Sequence, residues 1–173
     1  VESENLVSVG AQVSGQLKSI KVKLGDTVKS GQLVAEIDSL PEQNTLRTKT
    51  AALAAVGAQK QAKEASFRQA DLAYNRQLQM LKGEAASRED FENAEATLKV
   101  TKAEIAVLDA QIEQAKIALD TAQLDLGYTK ITSPIDGVVV AVVTKEGQTV
   151  NASQEAPTII KVETPVAAAE GAE

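Results

Sequence analysis

Cysteine and histidine are absent from this chain of 173 residues, and aromatic side chains make up only 2% of it. Disulfides are therefore excluded, as are thiolate or imidazole metal sites and Ser-His or Cys-His nucleophiles. No apolar run reaches the roughly 18 residues that a membrane-spanning helix needs, and no signal peptide opens the chain, so the segment reads as soluble. No basic stripe with interleaved aromatics is present and the net charge is −6, which leaves nucleic-acid binding without an electrostatic footprint. A phosphate-binding Gly-Lys loop is missing too. The paired carboxylates Glu89 and Asp90 fall at a helix start, where the helix dipole favours acids, and need no acid/base role. No catalytic, cofactor-binding or metal-binding residue is assigned, and an enzyme is not expected.

What the chain does contain is alanine, glutamate, lysine, glutamine and leucine, a composition that suits long helices packed closely side by side. At either end of the helical part stands one copy of a glycine pattern. The first runs Gly15-Gln-Leu-Lys-Ser-Ile-Lys-Val-Lys-Leu-Gly25-Asp-Thr-Val28. The second runs Gly137-Val-Val-Val-Ala-Val-Val-Thr-Lys-Glu-Gly147-Gln-Thr-Val150. All three marker positions (Gly15, Gly25, Val28) recur at an offset of 122 residues. A half-motif that recurs once, so far away, suggests two halves of one small β-domain separated by an insertion. Neither half offers enough apolar surface for its own core, and together they reach only about 65–75 residues, near the lower limit for independent folding.

The expected fold class is α+β: a split lipoyl/biotinyl-like β-sandwich with an inserted long antiparallel α-helical coiled-coil hairpin. Residues 1–38 and 128–162 form the two β-halves, 39–127 the hairpin, and 163–173 a disordered tail lacking periodicity. The first helix starts at Ser39-Leu40-Pro41, with Ser39 as its cap and Pro41 in the first turn. Leu46, Leu53, Lys60, Phe67, Tyr74 and Leu81 follow at steps of seven; Lys60 interrupts the apolar series and Gly57 weakens the helix locally. Gly83 is the stop signal. Ser87-Arg-Glu-Asp90 reads as a capping box for the second helix. Phe91, Leu98, Ile105, Ile112, Leu119 and Leu126 then hold one heptad position, a repeat that specifies a left-handed supercoil. At 1.5 Å per residue, each helix of about 40 residues is about 60 Å long, giving a narrow rod on a small β-domain.

A β-domain split into half-motifs resembles the biotinyl/lipoyl fold. In a carrier domain the halves meet at a tight hairpin bearing the modified lysine, and here everything between Asp38 and Tyr128 replaces that hairpin. The chain is more similar to the MacA-type periplasmic adaptors, the membrane fusion proteins of tripartite pumps. The stretches that carry this are Val9-Gly-Ala-Gln-Val-Ser-Gly-Gln-Leu17, Leu126-Gly-Tyr-Thr-Lys-Ile-Thr-Ser-Pro-Ile-Asp-Gly137, Gly147-Gln-Thr-Val150 and Gln154-Glu-Ala-Pro157. The resemblance implies a non-enzymatic adaptor without cofactor, periplasmic and inner-membrane associated in full length, assembling as a homo-oligomer, a hexamer in that family. It implies two partners: a TolC-like outer-membrane channel, and a MacB-like inner-membrane ABC transporter met through domains missing here. The chain is accordingly expected to be a piece of a longer protein.

The family's tip motif, Arg, then Leu, then Ser, falls on Arg76, Met80 and Ser87, with Met in place of Leu. By the resemblance these residues dock on the channel, whereas from the residues alone Ser87 is a helix cap and Arg76 a surface charge. Gln154 falls where MacA-type adaptors carry a glutamine regarded as a channel gate; a solvent-exposed loop glutamine is the plain alternative. An adaptor for peptide or protein secretion would use the same parts. A carrier domain and a plain coiled-coil spacer are the readings from other classes.

Overall fold

The computed structural model describes residues 6–153 and 157–164. It divides into two compact units, residues 1–45 with 122–173, and residues 46–121. The first unit contains two four-stranded sheets, ordered β1-β8-β6-β3 and β5-β4-β2-β7. Strands β1 (Leu6–Gly10), β2 (Gly15–Ile20), β3 (Thr27–Val28) and β4 (Leu33–Ile37) precede the helices. Strands β5 (Lys130–Thr132), β6 (Gly137–Val142), β7 (Thr149–Val150) and β8 (Thr158–Glu163) follow them. Each sheet draws two strands from each half, so the sandwich expected from the sequence is one domain with a shared core.

The repeat explains how the halves interlock. Gly15 pairs with Val150 in the second sheet, and Val28 pairs with Gly137 in the first. These are the same pair with the halves exchanged. The turns behave alike: Gly25 N–H donates to the Val139 carbonyl and Gly147 N–H to the Leu17 carbonyl, both at 2.8 Å. Leu17 N–H and Val139 N–H return bonds of 2.9 Å to the carbonyls of Gln148 and Asp26. Each half therefore closes the other's turn.

The glycines meet two separate demands. Gly25 and Gly147 have φ of 88° and 83°, a left-handed turn conformation open to glycine at no steric cost. Gly15 and Gly137 are needed for space. A Cβ on Gly15 would lie 2.6 Å from Ile37 Cγ2, and one on Gly137 would lie 2.6 Å from Val162 Cγ1.

Leu17, Val28, Val34, Ile37, Ile159, Ile160 and Val162 are fully shielded from solvent at the centre of the sandwich. Alternation would expose one of two adjacent residues, yet Val34-Ala35 and Ile159-Ile160 are both buried. Register shifts in the β4–β5 and β1–β8 pairings, at Leu33/Ala35 and opposite the Thr158–Ile160 stretch, turn both side chains inward. The buried hydroxyls are satisfied: Thr129 Oγ1 donates to the Leu126 carbonyl at 2.7 Å, Ser133 Oγ to the Ile135 carbonyl at 2.8 Å and Thr144 Oγ1 to the Thr158 carbonyl at 3.1 Å. The chain leaves the sandwich after Ile37 and returns at Thr129, whose carbonyl accepts the Ile37 N–H at 2.8 Å.

Helices α1 (Leu40–Lys82) and α2 (Arg88–Tyr128) fill the rest of the chain. At the start of α1, Ser39 holds the cap position and its carbonyl accepts the first helical bond, from Gln43 N–H at 2.9 Å. Its hydroxyl is engaged by the Gln43 side chain, and Asp38 Oδ1 takes the Leu40 N–H at 3.2 Å instead. The side-chain cap thus falls one residue earlier than the sequence reading places it. Within the second unit the helices run antiparallel, because contacts move up one as they move down the other. Lys60 Nζ lies 2.7 Å from Asp109 Oδ1, Lys63 Nζ lies 2.8 Å from Glu104 Oε2, and the rings of Tyr74 and Phe91 sit 5.4 Å apart.

The heptad positions read from the sequence form the less exposed stripe of each helix, half-buried from Leu46 to Leu81 and from Phe91 to Leu126. Lys60 interrupts the apolar series because its ammonium has acids to meet. Hydrogen bonding and charge from Asp109, with Glu64 adding to them, raise its pKa above the usual lysine value. Among the described residues no helix is long and apolar enough to cross a membrane.

Substitutions at glycine separate these demands. Gly15→Ala and Gly137→Ala each overpack the sandwich and are expected to lower stability by about 1–3 kcal/mol. Gly57→Ala, whose Cβ meets nothing within 4 Å, is expected to raise helix stability by about 1 kcal/mol. Denaturant unfolding of the three variants checks both signs.

Candidate functional site

The turn between α1 and α2 gathers the residues singled out by the sequence. Arg76 and Met80 lie one helical turn apart on one face of α1. Arg76 is exposed, and Met80 keeps 37% of its surface in solvent. No hydrogen bond or ion pair joins Arg76, Met80 and Ser87 to one another among the described residues. Arg76 has no such partner within the described chain, so its guanidinium donors face outward. A few residues away, the Tyr74–Phe91 ring contact, tilted by 39°, ties the two helices together.

Ser87 is engaged. Its Oγ accepts the Asp90 N–H at 3.1 Å and donates to Asp90 Oδ2 at 2.7 Å. The first contact is the capping bond expected from the sequence. The second replaces the reciprocal arm of a capping box, with the shorter Asp side chain meeting the serine hydroxyl. Ser87 therefore works as a helix cap in this structure.

Helix α1 ends at Lys82, immediately before Gly83, where the sequence places the stop signal. Gly83 N–H still donates to the Gln79 carbonyl, at 3.1 Å, in helical fashion. The left-handed residue is Glu84, with φ of 57°, the one non-glycine at positive φ among the described residues. Glu84 N–H donates to the Leu81 carbonyl at 3.1 Å and Ala85 N–H to the Met80 carbonyl at 2.8 Å, which closes the end of α1. Holding an L-residue there costs about 1 kcal/mol relative to glycine.

Gln154 lies outside the described residues. The loop leading to it is tied down by two residues that the sequence reading missed. Ser14 Oγ donates to Asn151 Oδ1 at 3.3 Å and accepts the Ala152 N–H at 2.8 Å, while Asn151 Oδ1 also accepts the Ser153 N–H at 3.0 Å. Elsewhere in the first unit, a groove of about 680 Å³ beside Tyr128, Lys130 and Pro134 is open to solvent. Among the described residues no group of three or more acidic side chains is placed to hold a metal ion.

With this geometry in place, comparison with known proteins decides the family. The family model described as "RND MFP, barrel-sandwich hybrid domain" matches residues 5–162. The chain belongs to the membrane fusion proteins. The crystal structure of MacA from Actinobacillus actinomycetemcomitans superposes with a TM-score of 0.88 at 46% identity, covering 95% of this chain and 50% of that one. Macrolide export protein MacA of Escherichia coli O157:H7 is 42% identical over 154 residues, which are 89% of this chain and 42% of the relative. Pyoverdine export membrane fusion protein PvdR of Pseudomonas aeruginosa is 38% identical over 162 residues, 94% of this chain and 41% of the relative. The chain thus spans half or less of the length of each of these three proteins. The resemblance to MacA-type adaptors read from the sequence holds at the level of whole-chain identity.

The cap at Ser87 is open to direct measurement. Ser87→Ala is expected to destabilise the helices by about 1 kcal/mol, and Ser87→Asp, which can still accept a backbone N–H, to leave them nearly unchanged. Thermal melts followed by helical circular dichroism check the difference.

Proposed function

We propose that this chain is part of a periplasmic adaptor subunit of a tripartite efflux pump. It links a MacB-like inner-membrane ABC transporter to a TolC-like outer-membrane channel and helps to enclose a sealed conduit. Its role is mechanical and it catalyses nothing. The observation that carries the reading is its likeness to MacA, 46% identical over 95% of this chain, which takes in both the sandwich and the helices. That identity favours the MacA type over the pump class in the family model's description. One relative is named for macrolide export and another for pyoverdine export. The cargo is therefore not set by the features these chains share.

In this reading α1 and α2 form an antiparallel coiled coil, supported by the half-buried heptad positions of both helices. The turn between them is the docking end. Arg76 offers donors to exposed helix-end carbonyls of the channel, Met80 fills an apolar groove, and Ser87, its hydroxyl proton held by Asp90, offers the remaining lone pair of its oxygen. Gln154 lines the conduit as a gate, its uncharged amide able to bond to copies of itself around a narrow pore.

The chain acts as a homo-oligomer, a hexameric ring by analogy with the family. Outward-facing stripes on the helices support side-by-side contact. On α2, Val100 and Val107 each follow a seam residue by two positions and Ile117 precedes one by two, which puts all three about 160–200° from the seam, and they are 57–66% exposed. On α1, the exposed outer positions are Ala51, Ala55, Ala58, Ala62 and Ala65. Large side chains on one face and small ones on the other suit a head-to-tail contact, the kind that closes into rings.

Arg76→Asp and Ser87→Arg should each abolish or strongly reduce binding to the channel and export in cells. Normal export by both variants would sink the docking assignment. Gln154→Ala should alter export without changing thermal stability, and unchanged transport would count against a gate. Val107→Asp combined with Ile117→Asp should shift the oligomer to monomer in light scattering; an unchanged mass would reject the stripes as the contact.

A further inference from the structure

Glu84 is held where its surroundings give it nothing. Its backbone is left-handed, a conformation that glycine adopts without penalty, and Gly83 stands immediately before it in ordinary helical bonding. It follows the C-terminus of α1, the negative pole of the helix dipole, which disfavours a negative charge. The nearest favourable pole, the N-terminus of α2, already has Glu89 and Asp90 in its first turn. Its carboxylate is exposed and forms no hydrogen bond or ion pair with any described residue. Backbone conformation and the helix dipole thus both oppose an acid at this position, and although Lys82 and Arg88 flank it in sequence, neither forms an ion pair with it.

We propose that Glu84 is a docking residue of the hairpin turn, making a charge-assisted hydrogen bond to a lysine or arginine on the outer-membrane channel. The inference rests on the reading of this turn as the docking end. The charge pattern fits: Arg76 shows unpaired donors and Glu84 is an acceptor projecting from the loop that follows, while Arg88 is held by Glu92 at 3.4 Å. Residues held at unfavourable backbone angles gather at ligand clamps, where the contact formed on binding offsets the strain. A mixed pair of contacts, cation to carbonyl at Arg76 and carboxylate to cation at Glu84, would fix the orientation of docking as well as its strength.

The test titrates the full-length adaptor with the purified TolC-like channel of the same organism in detergent. Glu84→Gln and Glu84→Gly should each weaken binding about tenfold, the scale of one lost charge-assisted hydrogen bond. Glu84→Asp should retain most of it, and the wild type should lose more affinity with added salt than Glu84→Gln does. Glu84→Gly should also melt at a higher temperature than the wild type, which separates lost contact from lost fold. Ser87→Arg serves as the reference. If Ser87→Arg fails to bind while Glu84→Gln binds as the wild type does, the inference about Glu84 is overturned and docking at the turn stands. If both bind normally, the docking reading falls and this inference with it.

Discussion

The structure of this chain depends on an exchange of turns between two sequence-distant halves. Gly25 can adopt its left-handed conformation alone, but its N–H finds a partner only in Val139, and Gly147 finds its own only in Leu17. Both turns are exposed, so each bond adds only about 1 kcal/mol net, and the reciprocal set acts chiefly by fixing how the two halves meet. Because the satisfaction is mutual, neither half can be completed first. The approach that allows the exchange is set by Gly15 and Gly137, where any side chain would strike Ile37 or Val162. This small core, built from Leu17, Val28, Val34, Ile37, Val139, Ile159, Ile160 and Val162, therefore forms in one cooperative step.

That arrangement frees the middle of the chain for another task. The exit after Ile37 and the return at Thr129 are joined by a backbone hydrogen bond, so a long insertion is accommodated without disturbing the sheets. Loop-closure entropy grows slowly with length, and the helices of the insertion stabilise one another along their own seam. The seam is lean: only Ala70 in α1 and Ala122 in α2 are buried. Cross-helix ion pairs at Lys60 and Lys63 and the Tyr74–Phe91 contact supplement it, and ion pairs this exposed add little net stability. Their greater value is register, since they fix which residues of α1 face which residues of α2 and so which side chains surround the turn.

Much of this was legible in the sequence, and the exceptions have a common cause. The glycine offset announced a split β-domain because turns and close approaches leave local signatures that survive any insertion. The heptads of α2 and the cap at Ser87 were legible for the same reason, being set by neighbours three, four or seven residues away. The strand exchange was not, since Gly15 pairing with Val150 depends on contacts more than a hundred residues apart. Lys60 read as a defect because Asp109, its partner, is identified only once the antiparallel register is known. At the turn Gly83 marks the end of α1 as read, but the bond from Ala85 N–H to the Met80 carbonyl places the left-handed residue at Glu84, one position on, which no local signature announces. Asp38 displaced Ser39 as side-chain cap in a similar way, because Gln43 competes for the serine hydroxyl. The docking residues were proposed through resemblance alone, since nothing in their own chemistry separates a cap or a surface charge from a contact.

The interlock is tested most directly by native-state hydrogen exchange at four amides: Leu17 and Gly25 in the first half, Val139 and Gly147 in the second. The account predicts one shared protection free energy for the four, because no half opens alone. It further predicts that Val150→Ala, a cavity in the second half, lowers protection at all four amides by the same factor. Protection that falls at Val139 and Gly147 while holding at Leu17 and Gly25 would contradict it.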